Sequence, residues 1–292
     1  MPDLVVIGSG PAGIAAAIYA VRAGLDTMVI GKDKGSLERA GLIQNYYGLP
    51  EPVEGAQLIE YGIAQAKNLG VKINQDEVVG LSFSEKLQVK TQTGAFEVDA
   101  VILATGSSRK KPVIRGLEDF EGRGVSYCAT CDAFFYRQKD VAVLGNGEYA
   151  LSEAKDLMPV AGSVRILTNG GKMLAEVPGG ISVSEKEIEC LEGTDKLEFI
   201  TFKDGSQISV SGAFVAMGVA SSSDLARMMG VVLNKADIVV GENMQTNVPG
   251  VFAAGDCTGG WMQVSKAVYE GSRAGSEAVK YIRKSRENAG GR

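Results

Sequence analysis

Two cysteines separated by two residues have the clearest capacity for chemistry in this chain. Cys128 and Cys131 lie in the run Cys-Ala-Thr-Cys-Asp, which ends shortly before a glycine-rich turn. A disulfide between cysteines at this spacing closes a small ring, so it can form and break reversibly. Neighbouring groups can also lower the pKa of one of the two thiols. The spacing therefore predicts a redox-active dithiol.

Half of a zinc site is the other interpretation of this pair. Zinc in proteins takes four ligands, and the chain has four cysteines, no histidine and no second pair at this spacing. We therefore expect no metal site. The absence of histidine also excludes acid–base catalysis by imidazole, so any general acid has to be a carboxylate, Cys, Lys or Tyr.

Length and charge limit the partners of the protein. A chain of 292 residues is long enough for two domains, and a formal net charge of −5 gives no electrostatic reason to expect nucleic acid. No apolar run has the length of a bilayer span, and the first residues are not a basic leader. We expect a cytoplasmic protein without a membrane partner, where a lone cysteine pair of this spacing is typical of catalysis.

A first glycine-rich turn lies near the amino terminus. Leu4 to Ile7 form a short apolar run, the turn follows, and Ile14 to Ala23 are alanine-rich. Gly8 and Gly10 allow the backbone to turn and approach a pyrophosphate, while Gly13 allows helix and strand to pack closely. The helix amino terminus favours the anion. The order strand, GxGxxG and helix predicts a dinucleotide-binding unit rather than a glycine-rich turn of an unrelated fold.

Three further strands belong with this unit. The strand at residues 27–30 is followed by Gly31-Lys32-Asp33, so its tip lacks the acidic residue that usually contacts a ribose. We interpret Asp33 as a solvated loop residue. Residues 100–103 and 251–254 form two more strands, each followed by a small turn, and a helix is predicted from Ser265 to Lys284.

A second unit of the same kind interrupts the first. The run 141–144 leads into Gly145-Asn146-Gly147, a helix to about Met158 follows, and residues 164–167 and 212–217 form later strands. The predicted fold class is α/β, with two Rossmann-like, three-layer nucleotide-binding domains, the second inserted into the first. We expect the outer domain at residues 1–113 and 244–292 and the inserted domain at residues 114–243.

The motifs resemble those of the low-molecular-weight thioredoxin reductases along essentially the whole chain. The first glycine turn, the Asn45 segment, Ala104-Thr105-Gly106, the CATCD run and Gly255-Asp256 have that family's order and spacing. The resemblance implies FAD in the outer domain, the redox disulfide in the inserted domain, a homodimer, and thioredoxin as the protein substrate.

The resemblance also implies roles for single residues. Cys131 would face the flavin, Cys128 would exchange with the protein substrate, and Asp132 would protonate and deprotonate the thiols. The residues expected to bind FAD form turns and short segments of the outer domain. They are Gly8, Ser9, Gly10, Pro11, Ala12, Gly13, Asn45, Val78, Thr105, Gly106, Gly255, Asp256, Gln263 and Val264.

The inserted unit departs from the family pattern where NADPH would bind. Ordinary members have a GGGxxA turn and, after the next strand, a His-Arg-Arg run that holds the 2′-phosphate. This chain has residues 168–171, Thr-Asn-Gly-Gly, at the second place, which leaves no cation there. In the turn, Asn146 replaces a glycine, Glu148 adds negative charge and Tyr149 adds bulk, and each change opposes a pyrophosphate.

A variant branch, the ferredoxin-dependent flavin thioredoxin reductases, is similar to this chain in lacking the NADPH residues while keeping CATC. We therefore expect a flavoprotein disulfide oxidoreductase that reduces thioredoxin with electrons from reduced ferredoxin. Ferredoxins are generally acidic, and Arg109-Lys110-Lys111 with Arg115 can steer such a partner. A charge run of this kind, taken alone, is more often a solvated basic linker.

Three alternatives remain open. The altered site can accept NADH or NADPH in an NAD(P)H-dependent thioredoxin reductase, or it can hold a second flavin stacked on Tyr149 in a diflavin-linked oxidoreductase. The protein can also be a non-catalytic redox sensor, in which FAD and the disulfide control the binding of a partner. Ferredoxin–NADP reductases share the fold but lack the cysteine pair. Cys190 and Cys257 are interpreted as ordinary thiols.

Overall fold

Two compact units make up the chain. The computed structural model describes residues 1–106, 113–218 and 220–290. One unit contains residues 1–109 and 221–292, which we call the outer unit, and the other contains residues 110–220, which we call the inserted unit. The inserted unit is thus continuous in the chain and separates the two segments of the outer unit.

The first segment of the outer unit contains nine strands and two helices. They are β1 (Leu4–Ile7), α1 (Pro11–Arg22), β2 (Thr27–Ile30), β3 (Leu42–Ile43), β4 (Val53–Glu54), α2 (Gly55–Asn68), β5 (Lys72–Asn74), β6 (Val78–Phe83), β7 (Leu87–Thr91), β8 (Ala95–Val98) and β9 (Ala100–Leu103). The four residues of β1 and of β9 are all buried, as expected of strands covered on both faces.

The inserted unit contains eight strands and two helices. They are β10 (Val125–Ser126), α3 (Ala129–Asp132), β11 (Asp140–Leu144), α4 (Glu148–Leu157), β12 (Ser163–Leu167), β13 (Ile181–Ser184), β14 (Ile188–Gly193), β15 (Leu197–Phe202), β16 (Gln207–Ser209) and β17 (Gly212–Val215). Its parallel sheet has the order β10-β17-β11-β12-β13, and β14, β15 and β16 form a separate antiparallel sheet.

The second segment of the outer unit completes its sheet. It contains α5 (Ser222–Met228), β18 (Leu233–Asn234), β19 (Asp237–Ile238), β20 (Val251–Ala253) and α6 (Val264–Gly290). The parallel sheet has the order β20-β9-β1-β2-β5. Alanines of α1 and α6 pack together in the core, because small side chains allow two helices to approach closely. The two parallel sheets confirm the predicted α/β class and Rossmann-like units.

The second boundary between the units differs from the expected position. Residues 221–243 were assigned to the inserted domain, yet they pack with the outer unit. The reason is local packing, since α5 contacts β6 and the hairpin of β18 and β19 contacts α5 and the turn at Asp256–Thr258. The side chain of Asn247 also accepts a hydrogen bond from the Val232 amide, at 2.8 Å. The first boundary shifts by only a few residues.

The lengths and apolar content of the helices show whether any of them could span a membrane. Within the described ranges, no helix is both long and apolar enough to cross a bilayer. The longest helix, α6, spans Val264–Gly290 and carries many charged residues.

Candidate functional site

The two cysteines of the CATC run form a disulfide in the inserted unit. Cys128 and Cys131 are bonded, and their Cα atoms lie 5.4 Å apart. Cys128 caps α3, and its sulfur accepts a hydrogen bond from the Cys131 amide at 3.1 Å. One turn of helix therefore holds both sulfurs. Cys131 is exposed and Cys128 is buried, with 3% of its surface accessible.

Asp132 lies on the same short helix and is oriented by a serine. The Ser126 hydroxyl at the end of β10 donates to Asp132 Oδ2 at 2.7 Å. The Ser126 hydroxyl oxygen also accepts a hydrogen bond from the Cys128 amide at 3.1 Å. Ser126 therefore connects the proposed proton-handling carboxylate to the backbone of the first cysteine. Burial raises the pKa of Tyr136, and the negative charge of nearby Asp132 adds to that rise.

Side chains of helix α4 form hydrogen bonds with the backbone on both sides of Cys128. Glu153, of which 1% is exposed, accepts a hydrogen bond from the Ala129 amide at 2.6 Å, at the start of α3. One turn earlier on α4, the Tyr149 hydroxyl donates to the Tyr127 carbonyl at 3.4 Å. A buried carboxylate is stable only where its hydrogen bonds are made, so Glu153 and the amide it binds depend on each other.

The second glycine turn, between β11 and α4, is bridged by the loop that follows β12. Asn146 donates from its side-chain nitrogen to the Lys172 carbonyl at 3.2 Å, and its own carbonyl accepts from the Leu174 amide at 2.8 Å. The backbone and the side chain of Asn146 are therefore both bound by residues 172–174. Residues 172–174 therefore lie against the turn, the element that receives a pyrophosphate in dinucleotide-binding folds.

The remaining residues of the altered motif are also committed to internal contacts. Asn169 accepts a hydrogen bond from the Ile188 amide at 2.8 Å, and the Arg165 guanidinium donates to Ser182 at 3.2 Å. Tyr149 is 1% exposed. In this conformation the buried Tyr149 ring is therefore not accessible for stacking on a second flavin, one of the alternatives that the sequence leaves open.

The first glycine turn, in the outer unit, is open by comparison. Gly8 has a φ of +116°, and a Cβ at this position would lie 2.2 Å from the Ala104 carbonyl oxygen. Pro11 occupies the first turn of α1, and no side chain caps the helix at Gly10. Ser9 donates to the Asp33 carbonyl at 2.8 Å. The amides at the start of α1 therefore face no capping side chain of their own helix.

Other predicted cofactor residues gather at the same edge of the outer sheet. Thr105 and Gly106 follow β9, Gly255 and Asp256 follow β20, and both strands are parallel to β1. The carboxyl ends of parallel strands share one edge, where open α/β sheets bind ligands. Burial raises the pKa of Asp256, with Lys266 opposing and Glu270 adding to the rise.

Two distant predicted residues are joined directly. The Asn45 side-chain nitrogen donates to Gln263 Oε1 at 3.0 Å, although 218 positions separate them. Gln263 immediately precedes Val264, the first residue of α6. Val78 is buried and is the first residue of β6, the strand that follows β5 in the chain. Among the described residues, no group of three or more His, Cys, Asp or Glu is arranged to hold a metal ion.

Comparison with known proteins decides the family. The model of the family described as pyridine nucleotide-disulphide oxidoreductase matches residues 2–271. The chain belongs to this family.

Its similarity to individual members points to the thioredoxin reductases. The chain is 35% identical to the thioredoxin reductase of Aquifex aeolicus, over 87% of this chain and 84% of that one. The structure is similar to that of the atypical thioredoxin reductase TRi from Desulfovibrio vulgaris Hildenborough, with a TM-score of 0.92, 41% identity and coverage of 97% and 99%. A ferredoxin-flavin thioredoxin reductase from Clostridium acetobutylicum aligns with a TM-score of 0.73, 33% identity and coverage of 97% and 98%.

As a pyridine nucleotide-disulphide oxidoreductase of the thioredoxin reductase type, the chain is a flavoprotein disulfide oxidoreductase with FAD as cofactor. The outer unit fits that cofactor. No atom lies within 4 Å of where a Cβ on Gly10 would stand, and α1 begins without a side-chain cap. The inserted unit differs at its turn, where residues 172–174 bond to Asn146.

Sequence reasoning missed two residues of the disulfide site. Ser126 precedes the first cysteine by two positions and carries no motif of its own. Glu153 lies four residues after Tyr149, which places both on one face of α4. A charged residue among the apolar neighbours of that face was the available signal.

Proposed function

We propose that this enzyme reduces thioredoxin through FAD and the Cys128–Cys131 disulfide, with electrons from reduced ferredoxin rather than from a pyridine nucleotide. One observation carries the choice of donor: the loop at residues 172–174 bonds to both the backbone and the side chain of Asn146. A pyrophosphate at this turn would have to displace that loop. It would also be repelled by the negative charge of Glu148 in the first turn of α4. The similarity to a ferredoxin-flavin thioredoxin reductase supports the same donor.

FAD, in this proposal, is held by the residues of the outer unit named from the sequence. The turn from Gly8 to Gly13 receives the pyrophosphate at the amino terminus of α1. Thr105, Gly106, Gly255 and Asp256 lie at the neighbouring strand ends, and Asn45 and Gln263 act as the hydrogen-bonded pair. Val78 and Val264 contribute from β6 and α6. When bound, FAD exchanges electrons singly with one partner and in pairs with the other.

The disulfide in the inserted unit passes the electron pair to the substrate. Two electrons and two protons convert Cys128–Cys131 to a dithiol. The Cys128 thiolate then attacks one sulfur of the thioredoxin disulfide, which forms a mixed disulfide and releases one thioredoxin thiolate. Cys131 attacks Cys128, restores the internal disulfide and releases the second thioredoxin thiol, so no net charge or electron is lost.

Proton movement in this cycle falls to Asp132. The carboxylate accepts the proton of a cysteine thiol as it becomes the nucleophile, and it returns a proton to the departing thiolate. Ser126, which donates to Asp132 Oδ2, holds the carboxylate beside the cysteine pair. Cys128 is buried in the oxidised protein, so the exchange with thioredoxin requires a rearrangement that exposes its sulfur.

The docking of ferredoxin is less constrained. Arg109, Lys110 and Lys111 lie outside the described residues. The Arg115 guanidinium donates to the Cys190 sulfur at 3.1 Å and lies 3.8 Å from Glu189, so part of its charge is already compensated. Arg115 alone is therefore a weak candidate for steering an acidic partner.

Anaerobic reduction of the bound flavin distinguishes the donors. The oxidised enzyme is mixed with NADPH, with NADH, or with chemically reduced ferredoxin, and flavin absorbance is followed in a stopped-flow instrument. We expect fast bleaching by ferredoxin and none on the catalytic timescale by either nucleotide. Rapid bleaching by a nucleotide would reject the ferredoxin proposal. Adding thioredoxin in excess then tests turnover, because a redox sensor would reduce at most one equivalent.

Assembly and location complete the proposal. We propose a homodimer in the cytoplasm, supported by the resemblance to the thioredoxin reductases and by a reactive cysteine pair, which suits a reducing compartment. Sedimentation equilibrium of the FAD-loaded protein tests the dimer. A monomer at micromolar concentration contradicts it.

A further inference from the structure

The outer unit lacks an acidic side chain where Rossmann folds usually bind a ribose. That carboxylate normally stands at the tip of the second strand, but β2 ends at Ile30 and Gly31 follows. A Cβ at Gly31 would lie 2.6 Å from the Ser9 hydroxyl oxygen, so no larger residue fits here without displacing the first glycine turn. The ribose of FAD therefore needs a different partner in this protein.

Glu77 is a buried carboxylate close to that tip. It is 5% exposed, and its Oε2 accepts a hydrogen bond from Lys32, the residue after Gly31, at 2.6 Å. Its Oε1 is buried and has no hydrogen-bond partner, the one side-chain oxygen or nitrogen in this condition across residues 1–106, 113–218 and 220–290. Native proteins rarely leave a buried carboxylate oxygen without a donor, because the desolvation cost is not recovered.

The chain path places Glu77 at the ligand-binding edge of the outer sheet. The Gly31 amide donates to the Asn74 carbonyl at 3.1 Å, which joins the end of β2 to the end of β5. Glu77 follows three residues later and precedes Val78, the first residue of β6. This is the carboxyl edge beside the first glycine turn, where the adenosine half of a dinucleotide lies in such folds.

We propose that Glu77 Oε1 accepts a hydrogen bond from an adenosine ribose hydroxyl of FAD, and so replaces the acidic residue missing from the tip of β2. Lys32 holds the other carboxylate oxygen and fixes the orientation of the group. Asp76, its neighbour, is unsuited to this role. Its Oδ1 accepts from the Glu77 amide at 2.7 Å and its Oδ2 from Thr93 at 2.5 Å, so the fold itself uses both oxygens.

A cycle of protein variants and flavin analogues tests the proposal. The apoprotein and its Glu77→Leu variant are each titrated with FAD and with an analogue that carries 2′,3′-dideoxyadenosine, and affinity is read from flavin fluorescence. Loss of a hydrogen bond between a hydroxyl and a carboxylate should weaken FAD binding by about tenfold or more. We expect the same substitution to leave the affinity for the dideoxy analogue unchanged, within about twofold.

Two results overturn the proposal. An equal loss for FAD and for the analogue would mean that Glu77 only supports the fold of the site. Unchanged FAD affinity would mean that water or protein satisfies Oε1. Glu77→Gln repeats the cycle with a side chain of the same shape, so the test survives if the leucine variant does not fold. Asp76→Asn is the matched control, for which any loss should be equal for the two ligands.

Discussion

The two Rossmann-like units share a local architecture, but the residue after the first glycine makes different contacts in each. In both, the first glycine of the turn packs against the strand next door: a Cβ at Gly8 would lie 2.2 Å from the Ala104 carbonyl oxygen, and one at Gly145 would lie 2.1 Å from that of Ala216. Both turns therefore require a residue without a Cβ at this position. What differs is the set of hydrogen bonds made by the next residue of the turn.

The difference is made by one loop and one side chain. In the outer unit, Ser9 at the position after the first glycine turns away and donates to the Asp33 carbonyl. In the inserted unit, the equivalent Asn146 binds residues 172–174 through its side chain and its backbone. The second turn thus keeps the packing of a dinucleotide fold while its second residue bonds to a neighbouring loop.

The helix that follows the second turn also contacts the redox site. Glu153 of α4 accepts a hydrogen bond from the amide at the start of α3, next to the disulfide. The amide at the start of α3 and the buried Glu153 carboxylate each need a hydrogen-bond partner, and each provides it for the other. The comparison therefore predicts that substitutions in the outer unit affect FAD, whereas those in the inserted unit affect thiol exchange.

The largest expected effect separates the two units completely. Cys128→Ser should lower thioredoxin reduction on the order of 10³-fold or more, because the proposed mechanism assigns the mixed disulfide to Cys128, and Cys190, the free thiol of the same unit, is buried. Flavin reduction by ferredoxin should keep its wild-type rate. Turnover assays and stopped-flow absorbance measure the two steps. Substantial turnover in the variant would show that another thiol receives the electrons, with Cys190→Ser as the control substitution.

A matched pair of glycine substitutions tests whether FAD depends on one turn only. Gly8→Ala and Gly145→Ala both force a Cβ onto a carbonyl oxygen and both occupy positive φ, a strain of about 1–3 kcal/mol each. Gly8→Ala should weaken FAD binding by about 10²-fold, because about 3 kcal/mol corresponds to that factor. Gly145→Ala should leave the flavin content unchanged. Equal loss of flavin from both variants would contradict the comparison. Flavin absorbance per protein measures it.

The proton-handling group of the inserted unit gives an effect of similar size on a different step. Asp132→Asn keeps an acceptor for the Ser126 hydroxyl but removes the proton-accepting charge, so thioredoxin reduction should fall about 10²-fold. Ser126→Ala removes only the orienting hydrogen bond and should cost about tenfold. Single-turnover exchange between the reduced enzyme and thioredoxin measures both. A larger effect from the serine variant than from the aspartate variant would reverse the assigned roles.

Support of the disulfide by α4 predicts a stability effect confined to the inserted unit. Glu153→Ala leaves the Ala129 amide buried without an acceptor, which should destabilise the unit by about 1–3 kcal/mol. Glu153→Gln keeps an acceptor and should cost less. Hydrogen exchange of amides in α3 and α4, read by mass spectrometry, reports the loss. Amides of β1 and α1 provide the internal reference and should not change.

The sequence predicts features that depend on local residue patterns, but not those that depend on contacts between distant elements. The strands and helices around both glycine turns were predicted within a few residues, because apolar runs and glycines are local signals. Ser126, Glu153 and Glu77 were not, because each acts through a partner on another element. The sequence also gave no sign that α5 packs on β6, so the second boundary was placed too late. Contacts between distant residues carry no periodic pattern.

The smallest effect is expected from reversing the most visible change in the second turn. Asn146→Gly restores the family's glycine but removes only the hydrogen bond to the Lys172 carbonyl, so the inserted unit should lose about 1 kcal/mol. The Leu174 amide would still donate to the backbone carbonyl at position 146, and the loop should stay in place. We therefore expect no oxidation of NADPH by the variant, measured at 340 nm under anaerobic conditions with thioredoxin present. Appreciable oxidation would mean that the asparagine side chain alone, and not the loop, keeps the nucleotide out.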